Sequence, residues 1–202
     1  MAGGNYRKWE TPRQLTEYKG EPLIARTIRQ LRNYTDNIAI STNNKAFNGL
    51  CVEILRHEND YDAWGYNDST GYWCNGFYPT ENPACYLFGD VVFSDDAIRQ
   101  IVEYETDDIM LFGSKPPFAK EYPKVYIEPF AFKVANQKHL REAIEEVKRL
   151  DSIGAFNRKP IAWELWAVIC GSYPNAINES YVAINDYTCD IDYPDEIQKV
   201  LT

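Results

Sequence analysis

Short apolar runs rich in β-branched and aromatic residues alternate with helical stretches along this chain, and that alternation narrows the fold more than any other feature. Residues 21–31 place Leu23, Ile24, Ile28 and Leu31 at helical spacing behind Pro22, which suits a first turn. Residues 37–42 and 51–56 then read as strands, as do 84–90, 109–113, 125–134 and 181–184. Between and after them come a helix capped by Ser94, an amphipathic helix over 137–150, a buried helix over 161–170 and a last helix opened by Pro194. This order predicts one layered α/β domain over residues 1–202, with a three-layer α/β/α arrangement and a mostly parallel sheet.

Composition removes several classes of function. With 45% hydrophobic and 25% charged residues, the chain can order a full core. A net charge of −9 argues against nucleic acid as a partner. No apolar run approaches the ~20 residues that span a bilayer, so no membrane partner is expected. The five cysteines form no CxxC pair and no cluster with histidine, so reduced thiols and a cytoplasmic setting are expected rather than a zinc site. There is no GxxxxGK[ST] phosphate loop. With only His57 and His139 present, nothing supports a Ser/His/Asp triad.

Chemistry concentrates in three places. The first is Met1 to Ile24. Ala2, Gly3 and Gly4 carry little or no side chain, Arg7, Lys8 and Arg13 follow, and Gly20-Glu21-Pro22-Leu23-Ile24 leads into a helix. Glycine lets backbone approach a ligand closely, and successive N–H groups in such a loop can cradle an anion. Residues 1–35 hold seven Lys/Arg against three Asp/Glu, a basic segment in an acidic protein. That suits a small phosphate ligand better than a long polyanion. Arg26, Arg29 and Arg32 read more simply as a solvated helix face.

The second place is Leu87-Phe88-Gly89-Asp90, a carboxylate at the carboxyl end of a buried strand, where open α/β sheets bind ligands. The third is Cys189-Asp190-Ile191-Asp192-Tyr193-Pro194-Asp195-Glu196, in which Asp195 and Glu196 suit a helix start. A further carboxylate, Glu128, stands on an otherwise apolar strand. The aromatic stretch 61–78 fits either a core or a platform that stacks on a base or sugar or cages a cationic acceptor. The Trp163-Glu164-Leu165-Trp166 run reads as core packing.

In motif order these segments resemble the nucleotidyltransferases of glycosyltransferase-A-type, Rossmann-like fold, the group that couples sugar phosphates or phospho-alcohols to nucleotides. The matching residues are Ala2-Gly3-Gly4, Arg7 or Lys8, Pro12-Arg13-Gln14-Leu15, Gly20-Glu21-Pro22-Leu23-Ile24, Gly89-Asp90 and Asp190-Ile191-Asp192-Tyr193-Pro194. The resemblance implies an Mg²⁺-dependent enzyme with an NTP and a phosphorylated small-molecule acceptor as partners. It implies Asp90 and Asp192 as metal ligands and, with Arg7 and Arg13, as catalytic residues. Ala2, Gly3, Gly4, Arg7, Lys8 and Arg13 would bind nucleotide, and Glu128 would lie near the acceptor. Three departures stand out. The glycine loop is about one residue short, Arg13 replaces a lysine, and the hydrophobic strand that precedes the loop in that group is missing. The last departure predicts a natural start upstream of Met1. A glycosyltransferase of the same fold, or a non-catalytic nucleotide- or sugar-binding protein, fits the same residues in part.

Overall fold

The computed structural model describes residues 1–2, 9, 11–57, 72–114, 128–173, 180–194 and 196–197. In chain order they form β1 (Glu17–Tyr18), β2 (Glu21–Pro22), α1 (Leu23–Leu31), β3 (Ala39–Ser41) and β4 (Glu53–Leu55). There follow β5 (Ala84–Leu87), β6 (Val91–Val92), α2 (Asp95–Glu103), β7 (Ile109–Ser114) and β8 (Glu128–Val134). The last are α3 (Gln137–Ser152), α4 (Ala162–Ile169), β9 (Val182–Ala183) and β10 (Cys189–Asp190). Among the described residues no helix is long and apolar enough to cross a membrane.

Among the described residues the single, mostly parallel, Rossmann-like sheet expected from the alternation does not form; their strands make four small sheets. The largest, in the order β5-β8-β7-β9, is mixed: β8 runs antiparallel to both β5 and β7, and only β7–β9 is parallel. The pairs β1–β2 and β6–β10 are antiparallel, and β3–β4 is parallel. The physical reason lies in the connections. A parallel neighbour needs a crossover of a dozen or more residues, usually a helix. The two strand signals at 109–113 and 125–134 follow one another with only a Pro-rich loop between them.

Burial explains why Ile109 to Phe112 of β7 and Pro129 to Phe132 of β8 are continuously apolar rather than alternating. Leu111 and Phe112 are both fully buried, as are Phe130, Ala131 and Phe132. Neighbouring residues point to opposite faces, so both faces of this sheet are covered. Phe132 meets Trp166 of α4 edge-on at 6.2 Å. Phe112, paired with Ala131 and so on the other face, meets Tyr104 just beyond α2 at 5.4 Å. Buried aromatic rings of this kind carry most of a core's apolar area.

Four of the five predicted helices form among the described residues; the last, opened by Pro194, lies mostly outside them. Ser94 caps α2, its hydroxyl accepting from the Ala97 N–H at 2.8 Å. Asn136 caps α3 by accepting from the His139 N–H. One expectation fails on α1. Arg26 does not lie on a solvated face; it is buried and donates to the Phe93 carbonyl and to Gln30. Gln30 in turn donates to Asp95 at 2.7 Å, so α1 is tied by polar contacts to the start of α2.

Met1 and Ala2 lie between two of the sheets. The Met1 amine donates to the Leu87 carbonyl at 2.7 Å, and the Gly89 N–H donates to the Met1 carbonyl at 2.8 Å. The Ala2 N–H donates to Ser41 at 3.0 Å. These bonds join the end of β5 to the end of β3.

Candidate functional site

Four segments deliver the charged groups to one place. The pair β6–β10 sets Asp190 opposite Val91, and one residue further the Ile191 N–H donates to the Asp90 carbonyl at 2.9 Å. That ladder lays the Gly89-Asp90 and Asp190-Ile191-Asp192 segments side by side. β10 also lies against β8, whose first residue is Glu128. Glu128 pairs with Ser114 at the end of β7, just past a register shift between Phe112 and Gly113. A Cβ on Gly113 would stand 2.4 Å from the Glu128 carbonyl oxygen, so glycine is what lets the two strands close here. Arg13 comes from a short 3₁₀ turn, Arg13–Leu15, that begins after Pro12.

The guanidinium of Arg13 is shared. One of its terminal nitrogens pairs with Asp90. The other donates to Asp192 Oδ1 at 2.9 Å and to the Ile191 carbonyl at 3.1 Å. The three side chains retain between 15 and 34% of their accessibility, so the cluster opens to solvent on one side. Burial disfavours charge on Arg13, but the fields of Asp90, Asp192 and Asp190 and the hydrogen bond to Asp192 outweigh it. Its pKa therefore lies above the ordinary arginine value, and the group is a permanent cation.

Glu128, Asp190 and Asp192 offer carboxylate oxygens that all lie within 4.8 Å of one another. Two oxygens that share one Mg²⁺ at ~2.1 Å lie at most ~4.2 Å apart, close to the outer limit of this set. All-carboxylate oxygen donors suit a hard cation such as Mg²⁺. Of these residues Glu128 is the most deeply buried, at 6% exposure.

The structure thus brings Arg13, Asp90 and Asp192 together, with Glu128 and Asp190 in the same acidic group. Ala2 is buried beside Gly89, 3.5 Å from the place a Cβ there would take, and its N–H donates to the Ser41 carbonyl. Gly3, Gly4, Arg7 and Lys8 lie outside the described residues. At Gly89 the chain itself fills the space a side chain would take. An added Cβ would meet the Met1 carbonyl at 2.7 Å and Gln14 at 3.1 Å, so this glycine admits neighbouring protein.

Two supporting residues escaped sequence reasoning. Trp9 donates from its indole N–H to the Asp192 carbonyl at 3.3 Å. Glu196 accepts from the Asp192 N–H at 2.6 Å and the Tyr193 N–H at 3.3 Å, which fixes the turn that presents Asp192. The Asp-x-x-x-Glu spacing was visible in the sequence; the contact of Trp9 had no local signal. Of the aromatic stretch, Tyr72, Trp73 and Phe77 belong to the core or pack against it. Trp73 and Phe77 pack edge-on with each other, Trp73 also meets Phe88, and Phe77 meets Phe132. Residues 58–71 lie outside the described set.

No protein-family model matches this chain, and no curated protein matches it.

Proposed function

We propose that this protein is an Mg²⁺-dependent nucleotidyltransferase that moves a nucleoside monophosphate from an NTP to a phosphorylated small-molecule acceptor. One observation carries the reading: a single guanidinium, Arg13, is held between Asp90 and Asp192 beside two further carboxylates, Glu128 and Asp190. A fixed cation next to a hard-oxygen donor set is what a polyphosphate and its metal require.

In the reaction an acceptor phosphate oxygen attacks the α-phosphorus of the NTP. The bond from that phosphorus to the bridging oxygen breaks, and pyrophosphate leaves with the electron pair. The acceptor is already ionised at neutral pH, so no general base is needed. This agrees with a chain that has only two histidines, one of which, His139, is engaged with Asp108. Glu128, Asp190 and Asp192 would hold the metal, which when bound supplies charge neutralisation on the phosphate oxygens. Asp90 orients Arg13. Arg13 stabilises charge that develops on the phosphates as the bond breaks. Arg7 or Lys8, which lie outside the described residues, would bind the triphosphate tail, and Gly3 and Gly4 would admit the nucleotide. A cytoplasmic setting goes with this reading, since no disulfide joins any of the five cysteines, all of which lie among the described residues.

A pyrophosphate-release screen tests the proposal, with each common NTP against a panel of sugar phosphates and phospho-alcohols in Mg²⁺. The expected result is release with one NTP–acceptor pairing and its loss in Asp192→Asn. Transfer of a sugar from a nucleotide-sugar donor without pyrophosphate release would overturn it. So would NTP binding with no turnover on any acceptor.

A further inference from the structure

The resting position of Arg13 conflicts with metal loading. Asp192 belongs both to the oxygen set within 4.8 Å and to the Arg13 ion pair. Asp192 does have a second oxygen. A dication on it would still stand a carboxylate's width from the guanidinium, and like charges at that range repel strongly where solvent is partly excluded. The Arg13 pose is also incomplete: its Nε is buried and has no hydrogen-bond partner among the described residues. A buried donor without an acceptor destabilises the pose that holds it.

Resting on the reading of this site as a metal–nucleotide site, we infer that Arg13 is a built-in counter-cation that a metal on Glu128, Asp190 and Asp192 displaces from Asp192. Without ligand the guanidinium bridges Asp192 and Asp90. When a divalent cation takes Asp192, Arg13 leaves that carboxylate and, still oriented by Asp90, turns to the phosphates that arrive with the metal. Metal alone therefore binds weakly, and metal with triphosphate binds well, because only the pair satisfies both the carboxylates and the released guanidinium. The device keeps the acidic group ordered in the absence of substrate.

The test is Mn²⁺ binding, followed by calorimetry and by the paramagnetic signal of the free ion, in the full chain without nucleotide. Arg13→Gln should bind Mn²⁺ roughly ten- to a hundredfold more tightly than the wild type, the equivalent of one charge-assisted hydrogen bond no longer competing. Its melting temperature should be low in EDTA and recover with Mn²⁺ by more than the wild type gains. An Arg13→Gln affinity equal to or weaker than that of the wild type overturns the inference and leaves the transferase reading standing. No Mn²⁺ binding by either protein overturns both. Should Arg13→Gln fail to fold, the wild type decides. The Arg13 Nε–Hε resonance should shift as Mg²⁺ saturates the site, and an unchanged resonance at saturation overturns the inference.

Discussion

Arg13 and Asp192 stand 179 residues apart in the chain and 2.9 Å apart in space. The same guanidinium reaches Asp90 and the Ile191 carbonyl, so one side chain closes the beginning of the chain onto two later segments. Arg13→Ala should therefore affect folding as well as chemistry. Breaking a buried ion pair costs roughly 3–5 kcal/mol, and the remaining exposure of these groups puts the expected loss near the lower figure, about 3 kcal/mol. Urea denaturation in EDTA measures it. Turnover should fall by a factor of roughly 10²–10³ as one preorganised charge is lost. A variant as stable as the wild type would show that the Arg13 bridge does not hold the fold.

Glu128 carries the metal-binding part of the account. Glu128→Gln preserves shape and removes one of the three charges that share the 4.8 Å group. Mn²⁺ affinity should fall by about tenfold or more, while stability in EDTA stays level or rises as carboxylate repulsion is relieved. Asp96→Asn is the control: that side chain is 81% exposed on α2 and should leave metal binding unchanged.

Gly113 is where the sheet admits no side chain. In Gly113→Ala the new methyl would meet the Glu128 carbonyl at 2.4 Å, and backbone rather than a flexible side chain must yield. Overpacking of this kind costs typically ~1–3 kcal/mol. Because the clash moves the first residue of β8, Mn²⁺ affinity should fall together with stability. Loss of one without the other would separate Glu128 from the metal group.

Much of the local structure was legible, and the reasons differ by element. The four helices announced themselves through spacing and caps such as Ser94, because a helix is specified by residues close in sequence. Strand positions were legible for the same reason, from Ile109 through Ser114 for example. Strand direction was not, because pairing is a relation between distant segments. The clue was the missing helix between the signals at 109–113 and 125–134. The two-residue pairs β1–β2 and β6–β10 are too short to show a periodicity. Of the site, Asp90, Asp192, Arg13 and Glu128 were all picked out as residues, and their convergence comes from the β6–β10 ladder, which had no signal of its own. Arg26 misled because a cation at helical spacing looks solvated until its acceptor, the Phe93 carbonyl, is known.

Stability should fall in alkali. Burial pushes the Cys74 thiol up to about 11 from an ordinary 9.0. A group whose folded-state pKa is raised contributes stability below its unfolded pKa and loses it as pH rises through the folded value. Two pH units correspond to about 3 kcal/mol lost between pH 9 and about 11. Urea midpoints across that range should show it, and Cys74→Ala should flatten the slope by that amount. Burial moves Cys85 and Tyr86 in the same direction, so a residual slope should remain. An identical slope in wild type and variant would place the Cys74 thiol in water.

The position of bond cleavage tests the central claim most directly. The protein is incubated with Mg²⁺, the acceptor and an NTP labelled separately at the α- and γ-phosphates. The account predicts the α-label in the acceptor product and the γ-label in pyrophosphate, with both transfers lost in Asp192→Asn. A γ-label released as orthophosphate or found in the acceptor would mean cleavage between the β- and γ-phosphates, and would contradict nucleotidyl transfer at the Arg13–Asp90–Asp192 site.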